Sequence, residues 1–297
     1  MLEFHKIDLS DMETIRPYLQ AQPYRSCDYT VGAIFQWRAY LHSRYAVSNG
    51  MLLLRADYPG EGDTFAFPVG GGDLNAALDD VEAYTAAANE QLVFCAVPKE
   101  AADALSARYA GRCTVEARRD WADYLYQLND LIAFPGKKYH TQKNHLNRFL
   151  KEHPDAALVP VTAETMCEAV RFLEEYAKYA PIDKVIEQEE MKRSKELLRD
   201  ALALGQKAAF LTAGGEVVAL SIGETIRDTL YVHVETARVD YPGAYQAIVS
   251  LFADWAKTDE TAYINREDDS GEEGLRYSKM AYRPIGFVEK YWVTVTR

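Results

Sequence analysis

At 297 residues with 48% hydrophobic content, the chain has material for two ordinary domains or one large one, and a disordered polymer is excluded. Its formal charge of -12, from 33 basic against 45 acidic residues, argues against a general polyanion binder, whose affinity comes from neutralising phosphates. No apolar run approaches the ~20 residues that cross a bilayer, and Met1-Leu2-Glu3-Phe4-His5-Lys6 lacks the plan of a signal peptide, so a cytoplasmic protein is expected.

In chain order, residues 2–7 read as a strand, and Ser10 with Glu13 forms an S-x-x-E capping box opening a helix. A helix over 30–41 follows, then strands at 45–47, 51–56 and 64–69, with Asn49-Gly50 as a tight hairpin turn. Asp73 caps a helix to Asn89, 92–97 is a short buried strand, 99–109 a helix and 113–128 mostly extended. The order then repeats: strand 157–161, helices 164–179 and 187–204, strands 208–212, 217–224 and 229–235, helix 243–257, strand 262–265, helix 272–280 and strand 287–296. This predicts an α/β (α+β) protein of two like halves with mixed, mostly antiparallel sheets. Pro135-Gly136 and Pro154 bracket a basic segment, which sets the domains at 1–135, a linker helix at 136–154, and 155–297. Cys27, Cys95, Cys113 and Cys167 form no close pair and are expected as reduced, buried thiols.

On the strand 230–235, a two-residue period puts Tyr231, His233 and Glu235 on one face, and Ala219, Ser221 and Gly223 make a small-residue face on the strand before it. Glu235 is the first candidate for a general base or amine-binding carboxylate, His233 the second as a proton relay, and Tyr231 a substrate contact. A half-buried strand with one solvated face explains the same alternation. Gly243 and Ala244 open a helix whose free N–H groups would suit a donor phosphate. Lys137, Lys138, Lys143, Arg148 and Lys151, interleaved with Tyr139, His140 and His145, read either as a solvated helix face or as a patch for tRNA or lipid headgroups. His140, His145 and His153 lack the spacing of zinc ligands, so no metal is expected, and no nucleophile-elbow or Walker motif occurs.

The stretch Tyr263-Ile264-Asn265-Arg266-Glu267-Asp268-Asp269-Ser270-Gly271-Glu272-Glu273-Gly274-Leu275-Arg276-Tyr277-Ser278-Lys279 gathers acids, an amide and cations at one strand-to-helix turn, with Ser270 and Glu273 as a second capping box. Acids at a helix start and bases near its end also complement the helix dipole with no ligand at all. Together with Gly136-Lys137-Lys138-Tyr139-His140 through Asn147-Arg148-Phe149, and Asp240 through Gln246, this resembles a bacterial family carrying the phosphatidylglycerol lysyltransferase C-terminal domain.

The resemblance covers nearly the whole chain and implies two fused GNAT-like acyltransferase folds, with aminoacyl-tRNA as donor and Asp268, Arg276 and Lys279 in the substrate site. The acyl-CoA loop of GNAT enzymes, Arg/Gln-x-x-Gly-x-Gly/Ala, is not reproduced. With Gly243 as its first glycine, Asp240 stands at the basic position and Tyr245 at the small one; with Gly243 as its second, Arg238 matches and Tyr241 fails. An acyl-CoA donor, and hence a CoA-dependent N-acetyltransferase, stays as an alternative, as does a non-catalytic small-molecule-binding protein of the same fold. The acceptor is expected to be a small-molecule, peptide or lipid-headgroup amine or hydroxyl. Glu235, Asn265, Asp268, Arg276 and Lys279 are expected to converge on one cavity beside the Gly243 helix start.

Overall fold

A computed structural model describes residues 2–179 and 185–296, which fall into two units. Unit 1 takes the described residues up to Asp123, then Asp268–Gly271 and those from Phe287 onward; unit 2 takes Tyr124–Glu267 and Glu272–Gly286.

The elements run β1 (His5–Lys6), α1 (Met12–Ala21), α2 (Val31–Trp37), β2 (Arg44–Ser48), β3 (Met51–Tyr58), β4 (Gly62–Phe65), β5 (Val69–Gly70), α3 (Leu74–Ala87), β6 (Leu92–Pro98), α4 (Lys99–Arg108) and β7 (Cys113–Ala117). They continue through β8 (Asp123–Gln127), α5 (Leu128–Ala133), α6 (His140–Glu152), β9 (Ala157–Pro160), α7 (Met166–Glu175), α8 (Val185–Asp200), β10 (Lys207–Ala213), β11 (Glu216–Ile226) and β12 (Thr229–Ala237). Last come α9 (Ala244–Ala256), β13 (Tyr263–Asn265), α10 (Glu273–Ala281), β14 (Gly286–Val288) and β15 (Lys290–Val295).

The first sheet has the order β1-β2-β3-β4-β6-β15-β7, with β5 paired to β3 beside this path; the second, written in the same sense, is β9-β10-β11-β12-β13-β8-β14. Position by position the two orders match. From β1 to β7, and from β9 to β8, neighbouring strands pair antiparallel apart from one parallel contact in each sheet, β4 with β6 and β12 with β13, so the expected tandem of like folds holds.

The expected division at 136–154 differs from what the structure shows. β15, last in sequence, completes the first sheet, while β8, from the first half of the chain, completes the second. Nor is α6 a bare linker: Gln142, Leu146 and Phe149 are buried at helical spacing, and Leu146 and Phe149 join the unit 2 core with Tyr126, Leu211, Val218 and Ile248. The many charges on the outer face of α6 concealed this apolar stripe.

Local chemistry follows the sequence where the backbone demands it. Asn49 and Gly50 both take left-handed φ, at 51° and 74°, as the hairpin between β2 and β3 requires. The Asp73 carboxylate accepts the Ala76 N–H at 3.0 Å and caps α3. Two predicted capping boxes are corrected. The N-terminal one is built by Asp8 and Asp11, each carboxylate accepting an N–H of that turn, because a 3-10 turn precedes α1 and shifts the cap upstream of Ser10. Ser270 instead takes φ 47° in a turn where the Asp268 carboxylate accepts its N–H, and α10 begins after Glu272 with no side-chain cap. Cys27 and Cys95 are buried as expected, whereas Cys113 is half-buried and Cys167 exposed; all four are free thiols.

Candidate functional site

β12 and β13 run parallel for three paired residues, ending at Tyr231 opposite Asn265, and then part. The single-period reading of β12 fails here. Ser221 faces Glu235, but Gly223 faces Val232, so β12 carries one extra residue, His233, in a β-bulge. Cross-strand partners share a face, which puts Glu235 on the side of Ser221 and Val232, and Tyr231 with Glu224 on the other. Gly223 is required: a Cβ there would stand 2.1 Å from the Tyr231 carbonyl oxygen.

Side chains from β12 and from the residues just after β13 bridge the opening. The Glu235 carboxylate accepts a hydrogen bond from the Arg266 guanidinium, and their side chains are only 7% and 5% exposed. Arg266 also donates to the Tyr245 hydroxyl at 3.0 Å and lies over the Tyr282 ring at 4.7 Å. Burial pushes the Tyr126, Tyr245 and Tyr282 phenols up, so this wall stays neutral around the one ion pair. Lys279 caps the arrangement, its ammonium donating to the Arg266 carbonyl at 2.6 Å while its own carbonyl accepts from Tyr126 at 2.8 Å. Two buried polar atoms flanking Glu235, Ser221 Oγ across the strand and Arg266 Nη1, have no hydrogen-bond partner among the described residues.

His233 spans two carboxylates: Nδ1 donates to Glu267 at 2.8 Å and Nε2 to Glu224 at 3.1 Å. Burial alone would lower its pKa, but the two hydrogen-bonded carboxylates overcome that and raise it to about 9. Near neutral pH the ring is an imidazolium with both nitrogens engaged, a fixed positive charge in place of the expected proton relay. Asn265 is fully buried, and its side-chain oxygen accepts the Glu267 N–H at 2.7 Å, which shapes the turn that delivers Arg266 and Glu267.

The remaining predicted residues are placed differently. Arg276 is half-buried on α10. Asp268 belongs to unit 1, so the predicted set is not gathered within one unit. Gly243 has φ 93°, but the space of its missing Cβ is already taken, 2.4 Å from the His145 carbonyl oxygen, and the buried Ala244 donates its N–H to the Tyr241 carbonyl at 3.0 Å. That glycine admits α6, not a phosphate. On the basic patch, Lys138 pairs with Asp130 at 2.7 Å, Lys143 donates to the Ala133 carbonyl at 2.8 Å and Arg148 pairs with Glu152 at 2.8 Å; Lys137 is exposed.

In unit 1, the Lys290 ammonium is 1% exposed and lies 2.6 Å from both Asp28 and Asp123, 3.7 Å from Asp268 and 3.3 Å from Cys27 Sγ. Burial drives the Asp123 carboxyl up to about 6 in spite of Lys290, while the surrounding acids hold Lys290 protonated against its own desolvation. Cys27, Asp28 and Asp123 present potential metal-ligand atoms within 4.8 Å of one another, but the cation that meets them is the lysine. Asp268, expected in a substrate site, serves this cluster and the Ser270 turn.

Sequence reasoning missed Glu224, Tyr245, Arg266 and Glu267. Arg266 and Glu267 directly follow the predicted Asn265, so a signal was present in that stretch. Nothing local marked Glu224 or Tyr245, which reach the site through sheet register and helix docking.

Tandem sheets of matching order, each with one parted parallel pair, define an acyltransferase-like fold, and an acetyltransferase of the GNAT family from Colwellia psychrerythraea shares it across 100% of both chains, at 10% identity and a TM-score of 0.51. The chain belongs to the family described as phosphatidylglycerol lysyltransferase, C-terminal, which matches residues 21–294. A conserved protein of unknown function from Bacteroides thetaiotaomicron is 31% identical, with each chain covered over 100% and a TM-score of 0.92. The structure of L-PGS from Bacillus licheniformis superposes with a TM-score of 0.67 at 15% identity, over 96% of this chain and 92% of that one. An uncharacterised protein of Mycoplasmoides gallisepticum is 23% identical over 177 residues, a match that spans 58% of this chain and 56% of that protein. Among the described residues, no helix is long and apolar enough to cross a membrane.

Proposed function

We propose that this protein transfers an aminoacyl or acyl group from an activated ester, aminoacyl-tRNA before acyl-CoA, to an amine or hydroxyl acceptor at the parting of β12 and β13. One observation carries the reading: Ser221 Oγ and Arg266 Nη1 are buried without partners beside a buried, ion-paired Glu235. Orphaned buried polar atoms are costly, and a polar substrate is the kind of group that satisfies them. The Glu235 carboxylate takes the proton of the attacking amine, the nitrogen forms its bond to the ester carbonyl carbon, and the carbon–oxygen bond to the donor breaks with the proton passing to the leaving oxygen. The Arg266 guanidinium, hydrogen-bonded to Glu235 and with Nη1 unpartnered among the described residues, supplies the positive charge for the developing oxyanion.

The choice of donor rests on the closed Gly243 helix start, where the N–H of Ala244 is already used and α6 fills the approach. That weighs against a CoA phosphate at this place. The basic patch gives tRNA little help, since Lys138, Lys143 and Arg148, three of its five cations, are engaged by acceptors of the same unit. Incubation with radiolabelled aminoacyl-tRNAs and a mixture of amine and headgroup acceptors should give acid-stable label transfer, lost in Glu235→Gln and reduced in Ser221→Ala. Saturable micromolar binding of acetyl-CoA by calorimetry, with no transfer from tRNA, reverses the ranking of donors. Activity unchanged in both variants sinks the site.

A further inference from the structure

Lys290, which opens β15, meets groups that no step of the proposed transfer uses. Its nitrogen lies 2.6 Å from Asp28 on the 3-10 turn Cys27–Tyr29, 2.6 Å from Asp123 at the start of β8, 3.7 Å from Asp268 and 3.3 Å from Cys27 Sγ, and all of these belong to unit 1. Lys290 and Asp123 are sealed at 1% and 0% exposed, whereas the Asp28 side chain is 27% exposed. Asp28 also borders a mainly apolar cavity of about 90 Å³, lined by Ala66 and Cys95 just beyond Phe65 and Phe94, where β4 and β6 meet. One ammonium thus faces more than one carboxylate out of water, a costly arrangement that a neutral bond would relieve.

We propose that Lys290 and Asp28 condense into an isopeptide bond, with Asp123 carrying the protons, so that β15 becomes covalently tied to the turn before α2. Contact meets the first requirement: a nitrogen 2.6 Å from a carboxylate oxygen stands about 3.5 Å from its carbon, the separation of a near-attack pair. A second acid on the same nitrogen meets the next. The ammonium passes a proton to Asp123, the freed amine forms its bond to the Asp28 carboxyl carbon, and Asp123 relays two protons in turn from that nitrogen to one Asp28 oxygen, which leaves as water when its bond to carbon breaks. The nitrogen keeps one hydrogen, Asp123 ends as it began, and no oxidant or activating group is needed. Burial, which drives the Asp123 carboxyl up to about 6, lets it hold a proton near neutral pH. In water, hydration favours the ionised reactants; here burial strips that hydration from Lys290, and the amide carries no charge. Asp28 is the acyl partner because its exposed edge lets the water out, while Asp123 has no such exit.

Intact-mass spectrometry of the purified full-length protein, denatured before measurement, should read one water below the mass of its sequence. Trypsin should then yield a branched peptide joining residues 26–38 to residues 280–297, with no cleavage after Lys290. Lys290→Arg and Asp28→Ala should each show the full mass of their own sequence, and Asp123→Asn should leave most of the chain unlinked. A full-sequence mass in the unaltered protein overturns the proposal, as does a water loss located elsewhere, such as an aspartyl succinimide within a single peptide. Complete linkage in a folded Asp123→Asn overturns the part given to Asp123. If the variants do not fold, the mass and the branched peptide of the unaltered protein decide.

Discussion

The parted strands of the two units occupy the same position in sheets of the same order, yet one opening is apolar and contains a cavity, while the other is crossed by an ion pair and a doubly bonded imidazolium. In unit 1 the residues beyond the last pair are Ala66 and Cys95; in unit 2 they are Val232 and Arg266, with His233 and Glu235 close behind. Backbone order creates such an opening, and a handful of side chains sets what it accepts. A duplicated fold can thereby hold two chemistries without two architectures.

The sharpest way to break the contrast is to remove one half of the unit 2 ion pair. Glu235→Gln leaves a buried guanidinium uncompensated and should lower stability by about 3 to 5 kcal/mol in urea unfolding, whereas the double Glu235→Gln, Arg266→Met protein should lose less than the two single variants combined. Additive losses would mean that the pair contributes nothing as a unit. Next in size is the bulge that turns Glu235 toward Ser221. Gly223→Ala places a Cβ against the Tyr231 carbonyl and should cost about 2 to 3 kcal/mol by thermal unfolding. A neutral result would show that the bulge relaxes freely and does not set the site.

The imidazolium gives a pH test with a definite sign. Its folded pKa, about 9, lies above the ordinary 6.5, so its stabilisation is fully present below about pH 6.5 and is lost as pH rises through about 9. Unfolding free energies of the natural protein should therefore fall across that window relative to His233→Gln, and parallel profiles would contradict the clamp by Glu224 and Glu267. The smallest effects belong to exposed cations. Lys137→Glu should change stability by less than about 0.5 kcal/mol, and aminoacyl-tRNA binding measured by filter retention should barely weaken if the patch is a solvated face. A loss of binding of about tenfold or more would restore the patch as a contact surface.

The sequence by itself determined most of the elements, their order and the duplication, though not α5 or the separation of β14 from β15. Alternating and helical apolar periods, the Asn49-Gly50 turn and the Asp73 cap are local physics, readable wherever backbone preference and burial agree. It also pointed to Asn265, His233 and Glu235, which lie around the parting of β12 and β13. Three features were left to tertiary structure. Strand exchange moved β15 and β8 into each other's expected sheet, because hydrogen-bond register is satisfied between distant segments and leaves no local trace. One extra residue in β12 reversed the faces of Tyr231 and Glu235, since a two-residue period cannot anticipate a bulge. And Gly243, read as an opening for phosphate, proved to be the place where α6 packs against α9: a missing side chain shows that space is needed, and only the fold shows what fills it.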